Sequence, residues 1–188
     1  YLNYSSISCC VNVNKWHMLL LYNGNIRCPS VNMSMNKCSG QSIYCCPYTI
    51  SNSVSCSFTY SSFTDNYAAS YTCFCLWQNP VYFEIKSCNI IRNKQGTLDT
   101  QGTIATAGDL FVEDSCILEN KANRIFHQGD SNYRIIISNN TVDSTSNNGC
   151  LLIRNTATKS FIHALNHMST RNCHSEYDSA GTLTAFIQ

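Results

Sequence analysis

The sequence predicts an all-β fold, a parallel β-helix solenoid of about seven coils of 24–28 residues, and three observations predict it. First, a short phrase recurs: a small or polar residue, an apolar residue, two variable residues, then Asn or a hydroxyl. It reads Cys10-Val11-Asn12-Val13-Asn14, Ser62-Phe63-Thr64-Asp65-Asn66, Asn89-Ile90-Ile91-Arg92-Asn93 and Cys116-Ile117-Leu118-Glu119-Asn120, with weaker copies at Cys38–Ser42, Asn140–Ser144 and Asn166–Thr170. The closing positions are 28, 24, 27, 27, 24 and 26 residues apart. A period of this length marks a solenoid, in which each unit buries its apolar face only against its neighbours. Second, an apolar column (Phe58, Ile85, Val112, Ile136, Ile162) stands four residues before each phrase. Third, a further strand-like run lies between phrases: Tyr71–Trp77, Gly102–Ala107, Arg124–Gln128 and Cys150–Arg154. Clusters such as Gln78-Asn79-Pro80, Ala107-Gly108-Asp109 and Gly129-Asp130-Ser131-Asn132 supply the turns.

Two or three short strands in about 26 residues make one coil. Seven coils at a spacing of roughly 4.8 Å give a rod about 34 Å long. Even spacing along a strand keeps side chains on one face, so the apolar column and the first position of the phrase (Ser62, Asn89, Cys116, Asn140, Asn166) read as inward together. The closing Asn residues then stack directly. Asn14, Asn66, Asn93 and Asn120 are the expected rungs of an amide ladder, with hydroxyls in their place at 42, 144 and 170. A leucine-rich repeat has a similar period but requires a leucine spine absent here, and a propeller needs a longer period.

Composition narrows the function classes. Only 12% of the 188 residues are charged and the net charge is +1, so the basic patch of a nucleic-acid binder is missing. With 44% hydrophobic residues the chain is not of the disordered class. Met18-Leu19-Leu20-Leu21-Tyr22 is the longest apolar run, far short of a membrane span, and no membrane anchor is recognised. Residues 1–188 read as a single β-helix domain, with 1–40 as an irregular or capping region. The chain begins at Tyr1 and stops inside the strand-like Gly181–Gln188, which suggests a piece of a longer protein.

The thirteen cysteines lack zinc-finger or zinc-ribbon spacing. They read as small apolar core fillers or, outside the cell, as disulfide partners, with at least one left over. Cys73-x-Cys75 cannot by itself complete a tetrahedral metal site, and His163 and His167 lack an evident third ligand; His174 and Asp178 follow in a loop-like stretch. No metal and no cofactor are expected. N-x-S/T triplets stand at Asn3, Asn32 and Asn139.

The stretches Lys86–Asn93 and Glu113–Asn120 resemble coils of right-handed parallel β-helix proteins. In style they are similar to the Asn- and Cys-rich, pectate-lyase-like or polymorphic-outer-membrane-like surface proteins of trichomonads, with residues 81–180 carrying the resemblance. It implies a right-handed helix and an extracellular or cell-surface location.

Two surfaces are candidates for function. The residues before the ladder positions, Asp65, Arg92, Glu119 and Asp143, form a charged column. Alternating signs along Asp65–Arg92–Glu119 read as structural pairs. Glu119 beside Asp143 breaks the alternation, and two stacked carboxylates repel unless one is protonated or a cation lies between them. These two are the candidates for acid/base chemistry of a polysaccharide lyase or hydrolase. The second surface is the outer face of the strand before the phrase. Its columns read Thr59, Lys86, Glu113, Ile137, His163 and Ser57, Glu84, Phe111, Ile135, Phe161. Lys86 can meet Glu113, and the later coils turn apolar through Phe111, Ile135, Ile137 and Phe161. An apolar patch on a rigid rod fits contact with a cell-surface glycan or protein. A non-enzymatic binding or adhesion module is therefore the expected function, with the polysaccharide enzyme as the alternative.

Overall fold

The computed structural model describes residues 1–12, 16–47, 54–69, 73–78, 80–96, 101–143, 145–148 and 151–154. They form a parallel β-solenoid: every strand pairs in parallel with its equivalents one coil before and after. The strands form four sheets, three of six strands and one of four; the first four coils visit all of them and the later described coils skip the short one. The first sheet comprises Ser5–Ser8, Val31–Ser34, Ser62–Thr64, Asn89–Ile91, Cys116–Leu118 and Thr141–Val142. The second is the short one: Val11–Asn12, Lys37–Cys38, Tyr67–Ala68 and Lys94–Gln95. The third comprises His17–Tyr22, Gln41–Cys46, Phe74–Leu76, Ile104–Thr106, Phe126–Gln128 and Asn147–Asn148. The fourth comprises Ile26–Pro29, Val54–Thr59, Tyr82–Lys86, Asp109–Glu113, Ile135–Ser138 and Leu151–Arg154. The expected seventh copy, Asn166–Thr170, lies outside the described residues.

The interior is filled by stacked columns. The fourth sheet contributes Cys28, Phe58, Ile85, Val112 and Ile137, and beside them Ile26, Cys56, Phe83, Leu110 and Ile135. The third contributes Ile43, Phe74, Ile104 and Phe126, and the first Met33, Phe63, Ile90 and Ile117. Phe58, Phe63 and Phe74 meet edge to face, with centroids 5.6, 5.8 and 4.6 Å apart. Such pairs add to what burial of their area contributes.

A left-handed residue sits at each end of the first sheet in successive coils. Entering the sheet these are Ser30, Tyr60, Ser87, Asp114 and Asn139, with φ between 49° and 58°. Leaving it they are Cys9, Met35, Asp65, Arg92 and Glu119, with φ between 53° and 57°. One such residue reverses the in/out parity. Phe58 points inward, but the parity break at Tyr60 makes Phe63 the next inward side chain, and Ser62, Asn89 and Cys116 flank the core column instead. The inward reading of those first positions is thereby corrected, although all three are buried. An L-residue in this conformation is strained by roughly 1–2 kcal/mol, least for Asn and most for bulky side chains. Tyr60 is half exposed, so Tyr60→Asn is expected to raise stability by about 0.5–1 kcal/mol in chemical denaturation. A loss of stability would mean that the ring's packing outweighs the backbone strain.

The amide ladder is present, with Asn36 and not Ser42 as the rung before Asn66. Asn66 donates from its backbone N and from Nδ2 to Asn93 Oδ1 (3.1 and 3.0 Å), and Asn93 does the same to Asn120 Oδ1 (3.0 Å each). The rung below Asn66 is Asn36, which donates likewise to Asn66 Oδ1 and accepts from the Cys10 N–H. Each Nδ2 also donates inward to a carbonyl: Ile7, Met33, Phe63 and Ile90 in turn. Ser42 belongs to the third sheet and not to this ladder. Asn14 lies outside the described residues. At the corner entering the first sheet a second set of side-chain bonds links coils through two hydroxyls and an amide: Ser61 Oγ accepts from Val31 N, Ser115 Oγ from Cys88 N, and Asn140 Oδ1 from Ser115 N.

Asn140 therefore aligns with Ser115, and Thr141 is the partner of Cys116. That shifts the fifth coil by one residue from its expected alignment, so that Ile137 and not Ile136 continues the Val112 column. Leu151–Arg154 pairs with Ile135–Ser138 in the fourth sheet, whereas the equivalent of Phe126–Gln128 is Asn147–Asn148.

The eleven described cysteines are free thiols, nine of them buried and only Cys9 and Cys10 exposed. Burial pushes the Cys73, Cys75 and Cys88 thiols up to about 12, and all three are at most 3% exposed. An unfolded thiol ionises near pH 8.5. Between these values the unfolded chain sheds protons that the folded chain keeps, so the thiols' contribution is intact below about pH 8.5 and is lost as pH rises towards 12. Each group contributes a slope of about 1.4 kcal/mol per pH unit in that window. Denaturation midpoints measured under reductant are expected to hold to about pH 8.5 and then fall steeply; midpoints unchanged to pH 11 would contradict the burial of these thiols.

Candidate functional site

The charged column follows from the corner geometry. Asp65, Arg92 and Glu119 are the left-handed residues leaving the first sheet, so the bend carries their side chains away from the core. Arg92 forks onto Asp65 from the next coil, Nε to Oδ1 at 2.8 Å and Nη2 to Oδ2 at 2.8 Å. Both side chains are about one-third exposed, and an exposed pair of this kind contributes at most about 1 kcal/mol. The Lys86–Glu113 pair also forms, Nζ to Oε2 at 2.6 Å.

Glu119 and Asp143 do not form a stacked carboxylate pair. Thr141 aligns with Cys116, so Asp143 falls level with Leu118 rather than with Glu119. Its carboxylate accepts the backbone N–H of Glu119. In the earlier coils the matching N–H groups of Met35, Asp65 and Arg92 bond backbone carbonyls of the following coil. Asp143 thus replaces a ladder carbonyl with its side chain, which is structural work. The signal for this was the 25-residue step from Cys116 to Thr141, masked by the closer likeness of Asn140 to the phrase's first position.

The outer face of the fourth sheet is the other candidate, and the same one-residue shift rewrites it. Ile135 and Ile137, expected outside, are 1% and 0% exposed and belong to the core. Phe111 does face outward, and its neighbours in register are Glu84 below and Ile136 above, followed by Leu152. Ile136 is partly exposed and Leu152 is exposed. The Tyr82 ring lies diagonal to that of Phe111, stacked with centroids 6.3 Å apart. An apolar column of Tyr82, Phe111, Ile136 and Leu152 therefore runs along the outside of the sheet. Sequence reasoning placed Phe111 correctly and missed Ile136, because three consecutive isoleucines at 135–137 look the same in either parity. Phe161 lies outside the described residues, as do His163, His167, His174 and Asp178.

Cys73 and Cys75 are both buried. Among the described residues no group of three or more His, Cys, Asp or Glu side chains could hold a metal ion. Of the three glycosylation triplets, Asn3 and Asn139 are exposed, whereas Asn32 is 1% exposed within the first sheet and offers no reachable amide.

Comparisons with protein families, curated proteins and solved structures return no match to this chain.

Proposed function

We propose that the chain is a non-enzymatic binding module of right-handed, pectate-lyase-like type, secreted or at a cell surface, which presents a stiff face to glycan or protein. The observation that carries this reading is the outward apolar column Tyr82, Phe111, Ile136 and Leu152 on a continuous parallel sheet. Apolar side chains aligned on an outer face are contact surface when contiguous. The rod beneath them is held by the amide ladder, the second set of side-chain bonds between coils and an aromatic core, so the face needs little ordering on contact, which limits the entropic cost of association. The triplets at Asn3 and Asn139 are exposed, as glycosylation acceptors on a surface protein would be.

The reading is tested by retention of the folded protein on an immobilised preparation of cell-surface glycoproteins. Phe111→Asp with Ile136→Asp places charge on the column without touching the core, and is expected to reduce retention at least about tenfold, as loss of central apolar contacts does at interfaces. Retention equal to that of the wild type, with both proteins folded by circular dichroism, would overturn it.

A further inference from the structure

The corner between the third and fourth sheets holds a second kind of surface. Trp77, Ala107 and Gly129 occupy equivalent positions in three successive coils, immediately after the paired residues Leu76, Thr106 and Gln128. Their backbone N–H groups all continue the ladder, to Cys45, Leu76 and Thr106 carbonyls at 2.8, 2.9 and 2.7 Å. The indole of Trp77 lies along the rod: its Cη2 and Cζ3 reach Gly129, two coils away, where an added Cβ would stand 3.0 Å from each. Ala107 lies between them and is buried. The two small residues let the ring lie down against the corner, and Trp77 remains 39% exposed. The indole is thus anchored through its benzo edge at Gly129 while more than a third of the residue stays open to solvent.

Polar groups flank this platform. Trp77, Gln78, Ala107, Gly129 and Asp130 line a depression of about 190 Å³. Its far wall is fixed: Gln128 Nε2 donates to the Asp130 carbonyl at 2.8 Å, and Asp130 Oδ1 accepts the Asn132 N–H at 3.0 Å. A carboxylate accepts several hydrogen bonds at once, so the bonds Asp130 makes within the turn do not exclude a hydroxyl donor. On the near wall the Gln78 amide accepts from the Cys46 thiol through Oε1 at 3.5 Å and carries two donor hydrogens on Nε2. The turn above it is held close, since a Cβ on Gly108 would stand 2.8 Å from the Gln78 carbonyl and 2.3 Å from that of Val81.

The geometry points to a saccharide subsite at this corner: one pyranose ring stacks its C–H face on the Trp77 indole while its hydroxyls bond Asp130 and Gln78. The depression is smaller than a drug- or cofactor-sized pocket and suits a single ring of a longer glycan. A sugar presents an apolar face and a polar rim, the same division as a tryptophan face beside an amide and a carboxylate. A cationic ligand would favour enclosure by several aromatic rings, whereas here one ring is present and the surround is polar. The proposal rests on the reading of the chain as a binding module and gives it a ligand class.

The test uses the full chain carrying Trp16→Phe, which leaves Trp77 as its sole tryptophan. Emission is followed while methyl β-glucoside, methyl β-galactoside and tetrasaccharides of glucose, xylose and N-acetylglucosamine are added, with choline as the cationic control. At least one saccharide is expected to give a saturable shift with a Kd on the order of 1 mM. Calorimetry with the same sugar should show binding weakened at least about tenfold by Trp77→Ala and by Gly129→Val, whose side chain displaces the ring. No saturable response to any saccharide, a response to choline alone, or unchanged binding by folded Trp77→Ala would each overturn the proposal. Retention lost through Phe111→Asp with no sugar response leaves the binding module standing and removes only this subsite; retention and sugar response both absent removes both.

Discussion

Asn93→Ala is expected to cost about 3–5 kcal/mol, enough to unfold a marginally stable domain at ambient temperature. The Asn93 side chain makes four hydrogen bonds: it accepts from the Asn66 backbone N and Nδ2, and donates to the Phe63 carbonyl and to Asn120 Oδ1. Asn66 and Asn93 are 2% and 1% exposed, so water cannot replace what is lost. Truncation leaves the Asn66 N–H and the Phe63 carbonyl buried without these partners. Each such orphan costs roughly 1–3 kcal/mol, well beyond the net value of a single satisfied bond. Asn93→Asp separates the two halves of the effect. A carboxylate still accepts from Asn66 but faces the Phe63 carbonyl and Asn120 Oδ1 as acceptor against acceptor, so the Asp variant is expected to be strongly destabilised as well, and to recover in part at acid pH. Denaturant midpoints measure both. A change under about 1 kcal/mol for Asn93→Ala would mean that the ladder is not a closed hydrogen-bond network.

Phe63→Ala is expected to cost about 3–5 kcal/mol by a different mechanism. Phe63 is 1% exposed and joins the inward columns of three sheets, edge-on to Phe58 at 5.6 Å and to Phe74 at 4.6 Å. Its removal forfeits transfer free energy, two aromatic contacts and the packing around the cavity left behind. The stacked coils above and below are held in register by the ladders and cannot collapse into the gap. Phe63→Leu retains most of the volume and should cost clearly less. Equal losses for the two variants would show that the site relaxes, and that the column is less rigid than the ladders imply.

The sequence disclosed the fold through its period, and disclosed the site only where the period was clean. Successive coils 27 residues apart, at Asn66, Asn93 and Asn120, could be aligned by eye, and their amides form the ladder expected of them. The ends of the repeat were harder. Asn36 sits 30 residues from Asn66, outside the expected spacing, and Ser42 imitated it. In the fifth coil Asn140 resembles the phrase's first position but occupies the preceding corner, and that single residue moved Ile135 and Ile137 from the core to the surface in the sequence reading. In a strand a one-residue slip inverts every side chain. The left-handed corner residues were invisible for a related reason. Tyr60, Ser87, Asp114, Asp65, Arg92 and Glu119 have no composition in common, because the stacked hydrogen bonds on either side impose the conformation and not the residue's own preference. The Trp77 corner was equally silent, since its logic is the small size of Ala107 and Gly129, one and two coils away.

The measurement that tests the central claim most directly is retention and turnover read in the same wells. The folded protein is applied to immobilised acidic and neutral polysaccharides and cell-surface glycoproteins, with and without Ca²⁺, and both bound protein and released product are quantified. The expected result is saturable retention that falls with the Phe111→Asp/Ile136→Asp variant and no product in any well. Product release that Glu119→Gln or Asp143→Asn abolishes would contradict it and establish a polysaccharide enzyme instead.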